Sequence, residues 1–410
     1  MSIFGEAHEA EYKKYLGYIF IILCTGFFLS HFVFSWKNNW EEKFSIFGVH
    51  AFNYPGADSR NIQVSAYCHK KGFPIYQDNI CLEQAEIVKS IYPKAEVTIL
   101  NYPSIWVKVY ESFGDSSEAF FRNFWQINAL VFILTVVMLC WQRNAMIFPA
   151  ILFSPVSLLA IERGNTDAAI FFMVFLPLMM FKNKVAQGFS LGLAASLKVF
   201  PLFAFPSILG TKRPVLSFAY LLGILIVSPL LVNSMLEITQ VFSATIKGFA
   251  VAYGLFSILN APWLSDHQAV AWVFLVTILA VIGYSAYLIL RNEKSLIEIK
   301  ELLELQSELE RKLMIASMAI FVLTYLFFVN WAYRLIFVIP ALVMLSQNKS
   351  LFCRVSIVNL VVILWMPLVP AGWYVQNILC NLLCIPFVAV LLVHFGMVSK
   401  QIRLALKGTY

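Results

Sequence analysis

A series of apolar runs, the longest about twenty residues, constrains this chain more than any other feature; YLGYIFIILCTGFFLSHFVF (15–34) and NALVFILTVVMLCW (128–141) are two of them. In a helix rising about 1.5 Å per residue, roughly twenty apolar residues cross the roughly 30 Å hydrocarbon core of a bilayer. Hydrophobic residues make up 60% of the 410 and charged residues 13%, with a mean hydropathy of +0.76. Soluble domains carry about 45–50% and 25%, so a soluble protein is excluded. The first run is too long for a signal-peptide core and no small-residue cleavage site follows it, so it reads as an uncleaved span.

The expected fold is an all-α integral membrane protein of about twelve transmembrane or re-entrant helices. They are read over about 15–35, 123–141, 145–161, 167–181, 185–197, 199–210, 214–235, 269–290, 313–329, 335–346, 351–368 and 373–396. A cytoplasmic N-terminus (1–14) leads into a membrane core (15–346) with a large first outer loop (36–122). Residues 347–410 supply C-terminal helices and a cytoplasmic tail. With the N-terminus inside, the inner connections hold seventeen Lys and Arg, against four in or near the outer ones (Arg163, Lys198, Lys247 and Arg334) once the long loop is set aside. The positive-inside rule therefore puts both termini in the cytoplasm. The net charge of +7 is scattered between apolar runs rather than gathered into an aromatic-lined stripe, which argues against nucleic acid.

Three segments need separate readings. VAQGFSLGLAASLKVFPLFAFPSILG (185–210) is too short for two full spans, yet one crossing would break the charge rule, so it is expected to form a broken hairpin. Its bend, with Lys198 and Pro201, is buried in protein or faces an aqueous cavity, because lipid does not tolerate irregular backbone. RNEKSLIEIKELLELQSELERK (291–312) reads as a charged amphipathic cytoplasmic helix. EQAEIVKSIY, in the long loop, reads as a short helix on the membrane surface.

Five cysteines fall in or beside spans as small packing residues. Cys68 and Cys81 lie in the long loop and are either a disulfide or two free thiols, since spacing fixes no pairing. The six histidines show no metal spacing, and Cys68, His69 and Cys81 lack an evident fourth ligand, so no metal or other cofactor is expected.

Ionisable groups in or beside spans are costly and are functional candidates by default. Asp58 and Arg60, in FNYPGADSRNIQVSAY, occupy a stretch with the Pro and Gly of a turn. Four polar residues, Glu162, Arg163, Asn165 and Asp167, crowd the turn IERGNTDAAIFF, more than a helix cap needs. Lys198 sits at the hairpin bend, and Asn330, Tyr333 and Arg334 lie at the junction FVNWAYRLIFVIP. Arg163, Lys198 and Arg334 form a cationic set suited to a phosphate or pyrophosphate at the interface.

The ERGNTD turn, the SLKVFPL hairpin and the late NWAYRL junction stand in that order behind a loop with Asp58 and NYPSIW (101–106). This arrangement, over most of residues 15–345, resembles the polytopic GT-C glycosyltransferases, and in particular the bacterial branch that includes polyprenyl-phosphomannose-dependent mannosyltransferases. The resemblance implies inverting transfer from a polyprenyl-phosphate sugar to a lipid-linked or glycan acceptor on the outer face of a bacterial inner membrane. In such families an acid of the first outer loop is the catalytic base, and Asp58 sits where it would be. Arg60, Arg163, Lys198, Tyr333 and Arg334 would then serve the donor phosphate, with Tyr102, Glu162, Asn165, Asp167 and Asn330 supporting or meeting the acceptor. The chain departs from the common pattern in having one Asp in the loop rather than an acidic pair, and ERGN where a less charged turn is usual. A transporter or flippase of lipid-linked sugars would also use buried cations and a broken helix, but no inverted repeat is visible. A surface-polysaccharide polymerase would favour a large loop late in the chain, and here it is early.

Overall fold

The computed structural model describes residues 3–35, 40–47, 49, 56–77, 81, 100–112, 118–141, 146–208, 214–244, 252–255, 267–327, 330–366 and 372–406. They are helical almost throughout. In chain order the helices are α1 (Ile3–Phe28, continued by a wider turn, Leu29–Phe34), α2 (Trp40–Ser45), α3 (Ala57–Lys70), α4 (Ile105–Ser112), α5 (Glu118–Cys140), α6 (Ile147–Leu152), α7 (Pro155–Glu162), α8 (Asp167–Met180) and α9 (Lys184–Leu197). After a 3-10 segment, Phe200–Ser207, come α10 (Pro214–Ile226), α11 (Ser228–Leu236), α12 (Ile238–Ala244), α13 (Gln268–Arg291), α14 (Glu293–Leu305) and α15 (Glu308–Phe327). A second 3-10 segment, Ala332–Val338, precedes α16 (Ile339–Leu345), α17 (Leu351–Trp365) and α18 (Gly372–Leu406).

Among the described residues, four stretches are long and apolar enough to cross a membrane: Lys14–Phe34, Phe121–Cys140, Gln268–Arg291 and Val375–Gln401. A fifth is the pair α10–α11, bent by 67° at Val227. Asp167–Met180, Ala332–Leu345 and Leu351–Trp365 are apolar but shorter. The described residues thus form a predominantly helical protein with helices long and apolar enough to span a membrane, several of the expected spans being shorter or broken. The stretch read over 145–161 divides at Ser154–Pro155, where proline cannot continue a helix and Ser154 Oγ accepts the Ser157 N–H at 3.2 Å.

The charged segment 291–312 also differs from its sequence reading: it is not one helix. Asn292 stops α13 and caps α14, and α15 then starts inside the segment at a capping box. Ser307 Oγ accepts the Glu310 N–H at 3.3 Å while Glu310 Oε2 accepts the Ser307 N–H at 3.0 Å. The surface helix read at EQAEIVKSIY lies outside the described residues.

α15 is the axis of the bundle, with nearly every residue from Lys312 to Tyr325 buried. Its Ser317 Oγ donates to the Phe337 carbonyl at 2.6 Å and accepts the Ala341 N–H at 3.1 Å, so the second 3-10 segment and α16 are pinned to it. α1 and α13 lie at the periphery: 22% and 17% of their spans is buried, and α13 exposes Trp272, Val273 and Phe274. An exposed apolar surface of that extent is at home in lipid.

Residues that the charge count puts on the cytoplasmic side touch one another. Lys312 Nζ donates to the Tyr220 hydroxyl at 2.9 Å, Lys184 lies 4.0 Å from Glu308, and Tyr18 stacks on Trp141 at 4.5 Å. Segments read on the other side also meet. A two-residue strand, β1 (Ala252–Tyr253), pairs antiparallel with β2 (Asn330–Trp331), Tyr253 opposite Asn330.

Candidate functional site

The turn between α7 and α8 is the floor of the site. Arg163 ends α7 and Gly164 turns the chain at φ +58°. Asn165 Oδ1 accepts the Asp167 N–H at 2.8 Å, so the asparagine caps α8 and leaves the Asp167 carboxylate for other partners. Those partners are cations from two distant places. Lys198, where α9 gives way to the first 3-10 segment, donates to Asp167 Oδ1 at 2.5 Å and to Asn165 Oδ1 at 3.1 Å. Arg334, from the second 3-10 segment, donates through Nε to Asp167 Oδ2 at 3.2 Å and through Nη1 to Asn330 Oδ1. Asn330 in turn donates to the Thr324 carbonyl at 2.7 Å. Glu162 pairs with Arg163 at 3.1 Å and, like Asn165 and Asp167, has no exposed surface.

The long loop docks on this floor through backbone. Gly56, at φ +73°, donates its N–H to the Glu162 carbonyl at 2.8 Å; Asp58 donates its N–H to the Arg163 carbonyl at 2.9 Å; Ser59 Oγ donates to the Gly164 carbonyl. Two glycines face each other here, since a Cβ on Gly164 would lie 2.9 Å from Gly56 Cα and 2.7 Å from Trp125 Cδ1. Trp125 is held by its own bond from Nε1 to the Ile161 carbonyl at 2.7 Å. Of the stretch read as a turn, the described part begins at Gly56 and is helix from Ala57 on, with Asp58 in the first turn of α3.

The clamp delivers the Asp58 carboxylate to Asn165, whose Nδ2 donates to Asp58 Oδ2 and, at 3.1 Å, to the Tyr102 hydroxyl. Lys198 Nζ stands 4.7 Å from the centre of the Tyr102 ring, and Arg334 packs its guanidinium over Phe200 at 4.7 Å. Tyr333 is buried beside them, within electrostatic reach of Asp58 and Asp167. Asp58, Tyr102, Glu162, Arg163, Asn165, Asp167, Lys198, Asn330, Tyr333 and Arg334 thus form one connected polar cluster drawn from five parts of the sequence. Arg60 points elsewhere: it is buried against the Phe121 ring at 4.1 Å and acts on Tyr110. Cys68 and Cys81 are joined in a disulfide at the far end of α3.

The three cations Arg163, Lys198 and Arg334 face the three carboxylates Asp58, Glu162 and Asp167, so the cluster is balanced in charge. The carboxylates are not equivalent. Glu162 and Asp167 are sealed, whereas Asp58 keeps partial exposure and its Oδ1 has no hydrogen-bond partner among the described residues. Burial raises the Asp58 carboxyl above the usual carboxylate range, opposed by the Arg163 charge, the Asn165 bond and the Lys198 charge. The Arg163 and Arg334 side chains retain 19% and 16% of their exposure. The partly exposed Asp58 carboxyl and two guanidiniums therefore edge the cluster, and the rest of it is internal.

Three supports were not singled out from the sequence. Trp125 and Gly56 form the clamp, and Trp106 Nε1 donates to the Leu197 carbonyl at 3.0 Å, fixing the end of α9 beside Lys198. The Gly in YPGAD and the Trp in NYPSIW were visible signals for two of them. Searches against protein-family models, curated proteins and solved structures found no match to this chain.

Proposed function

We propose that the chain is a GT-C-like membrane glycosyltransferase of about twelve spanning or re-entrant helices. It transfers a hexose, mannose being the first candidate, from a polyprenyl-phosphate donor to a lipid-linked or glycan acceptor on the outer face of a bacterial inner membrane. Asp58 is the general base. The observation that carries this reading is the asymmetry among the three carboxylates: only Asp58 keeps partial exposure, with an Oδ1 that has no hydrogen-bond partner among the described residues, and it does so within reach of the Arg163 and Lys198 charges.

As the acceptor oxygen attacks the anomeric carbon it becomes positively charged, and its proton passes to Asp58 Oδ1; such base catalysis is worth about 10²–10⁴ in rate. The bond from the anomeric carbon to the phosphate oxygen breaks, and its electron pair leaves with the phosphate. A phosphate leaves as an anion without being protonated, so one carboxylate suffices where glycoside hydrolysis uses two. Arg163 and Arg334 hold the departing phosphate by charge-assisted hydrogen bonds. Asp167 keeps Lys198 and Arg334 in place, and Asn165 aims Asp58. Arg60, held over Phe121, is a brace for α3 in this scheme.

Mass spectrometry of lipids and glycolipids from cells with and without the protein tests the proposal. A product that loses one sugar mass in its absence supports transfer. An unchanged set of structures with altered sidedness identifies a flippase instead.

A further inference from the structure

Glu237 stands outside the cluster, directly after α11 and thus at the end of the bent pair. Its carboxylate accepts four hydrogen bonds. Oε2 takes the Ser104 N–H at 2.7 Å and the Tyr76 hydroxyl at 2.8 Å; Oε1 takes the Ser104 hydroxyl at 2.6 Å and Asn233 Nδ2 at 2.9 Å. Only Asn233 is local. Tyr76 and Ser104 belong to the long loop, 161 and 133 residues away in sequence. Every one of these donors is neutral, and together they fill the four acceptor directions of an ionised carboxylate. Hydrogen bonding, led by the two bonds from Ser104, outweighs desolvation and holds the Glu237 carboxyl below its usual range.

The same donors lead to the site. The Tyr76 hydroxyl also lies 3.1 Å from the Tyr102 carbonyl, so its single proton is shared between that carbonyl and Glu237. Ser104 follows Tyr102 with only Pro103 between them, and proline fixes that backbone. Tyr102 presents its hydroxyl to Asn165 and its ring to Lys198. Two residues past Ser104, Trp106 braces the end of α9.

We propose that Glu237 is a positioning residue: it fastens the Tyr76 and Ser104 parts of the long loop to the end of the bent α10–α11 pair, and through them holds Tyr102 against Asn165 and Lys198. The inference deepens the transferase reading and rests on it for the kinetic readout only; the fastening itself is read separately.

The test uses the full-length protein in lipid nanodiscs, with Glu237→Ala and Glu237→Gln. Hydrogen exchange at neutral pH is followed in segments 100–112 and 167–180, with steady-state sugar transfer alongside. Glu237→Ala is expected to speed exchange in 100–112 by about tenfold or more, since several bonds holding it are lost, and to leave 167–180 at the parental rate. Glu237→Gln keeps one acceptor oxygen and the shape, so an intermediate exchange rate is expected. In both variants kcat falls while the donor KM stays within about twofold, as a displaced support of the reacting geometry predicts.

Parental exchange in 100–112 with Glu237→Ala would overturn the fastening. A rise that extends equally to 167–180 would make Glu237 a general stability determinant and overturn it too. Local loosening with unchanged kcat would overturn the link to Tyr102. If the parent transfers no sugar, the transferase reading fails while the exchange rates still decide the fastening.

Discussion

Replacing Gly164 by alanine probes the clamp that brings Asp58 to the cluster. The new Cβ would lie 2.7 Å from Trp125 Cδ1, 2.9 Å from Gly56 Cα and 3.1 Å from Ser59 Oγ, on a backbone at φ +58°. A left-handed backbone costs a residue with a Cβ about 1–2 kcal/mol. The overlap adds about 1–3 kcal/mol, because Trp125 is fully buried and tied to the Ile161 carbonyl and cannot swing away freely. The expected loss is therefore about 2–5 kcal/mol if the clamp holds. If α3 moves instead, Asp58 moves with it, and a displacement near 1 Å costs about 10²-fold in turnover. Gly72 provides the control: it has φ +86° but open space around its missing Cβ, so Gly72→Ala should lose only the backbone part, about 1–2 kcal/mol, with parental turnover. Denaturant unfolding in detergent and transfer assays on both variants give the comparison. Equal losses in the two, or a Gly164→Ala protein with parental stability and turnover, would refute the clamp.

Asp167→Asn leaves the buried Lys198 and the partly buried Arg334 beside a neutral amide, and should cost about 3–5 kcal/mol, the range for removing one partner of a buried ion pair; denaturant unfolding with a loss under about 1 kcal/mol would show the cations finding water. Asp58→Asn should behave in the opposite way. A carboxyl whose folded pKa is raised by burial contributes stability only while protonated, and loses it as pH rises from the usual carboxylate value through the raised one. At neutral pH the anion is thus a net cost, so the Asn variant should melt at or above the parental temperature; a clear drop at pH 7 contradicts this. A cysteine introduced at Leu305, exposed on α14, should resist a membrane-impermeant reagent in intact cells and react after lysis. Ready labelling in intact cells would invert the topology.

Much of this architecture is legible in the sequence where one property dominates. The runs read at 123–141 and 269–290 appear as Glu118–Cys140 and Gln268–Arg291, because long apolar stretches leave the backbone few choices in lipid. Local signals were present but under-read at Ser154–Pro155 and at the S-x-x-E of residues 307–310, where a break and a capping box divide stretches read as continuous. The rule that ionisable residues at span ends mark sites led to Asp167, Lys198 and Arg334, yet not to their pairing, since Asp167 meets partners 31 and 167 residues away. Arg60 was grouped with Asp58 by proximity along a supposed turn. In the helix that forms there, residues two apart point about 200° away from each other, which sends Arg60 to Phe121 and Asp58 to Asn165. Glu237, two residues past the span read over 214–235, meets the same rule, yet its distant partners are ordinary hydroxyls and an N–H, which carry no pattern along the chain.

The central claim is that Asp58 takes the acceptor's proton. It is tested most directly by single-turnover transfer with the Asp58→Asn protein, saturated with polyprenyl-phosphate sugar and given a defined acceptor. Donor binding at the parental affinity with transfer slowed by about a hundredfold or more is the predicted result. Transfer at a near-parental rate would contradict it.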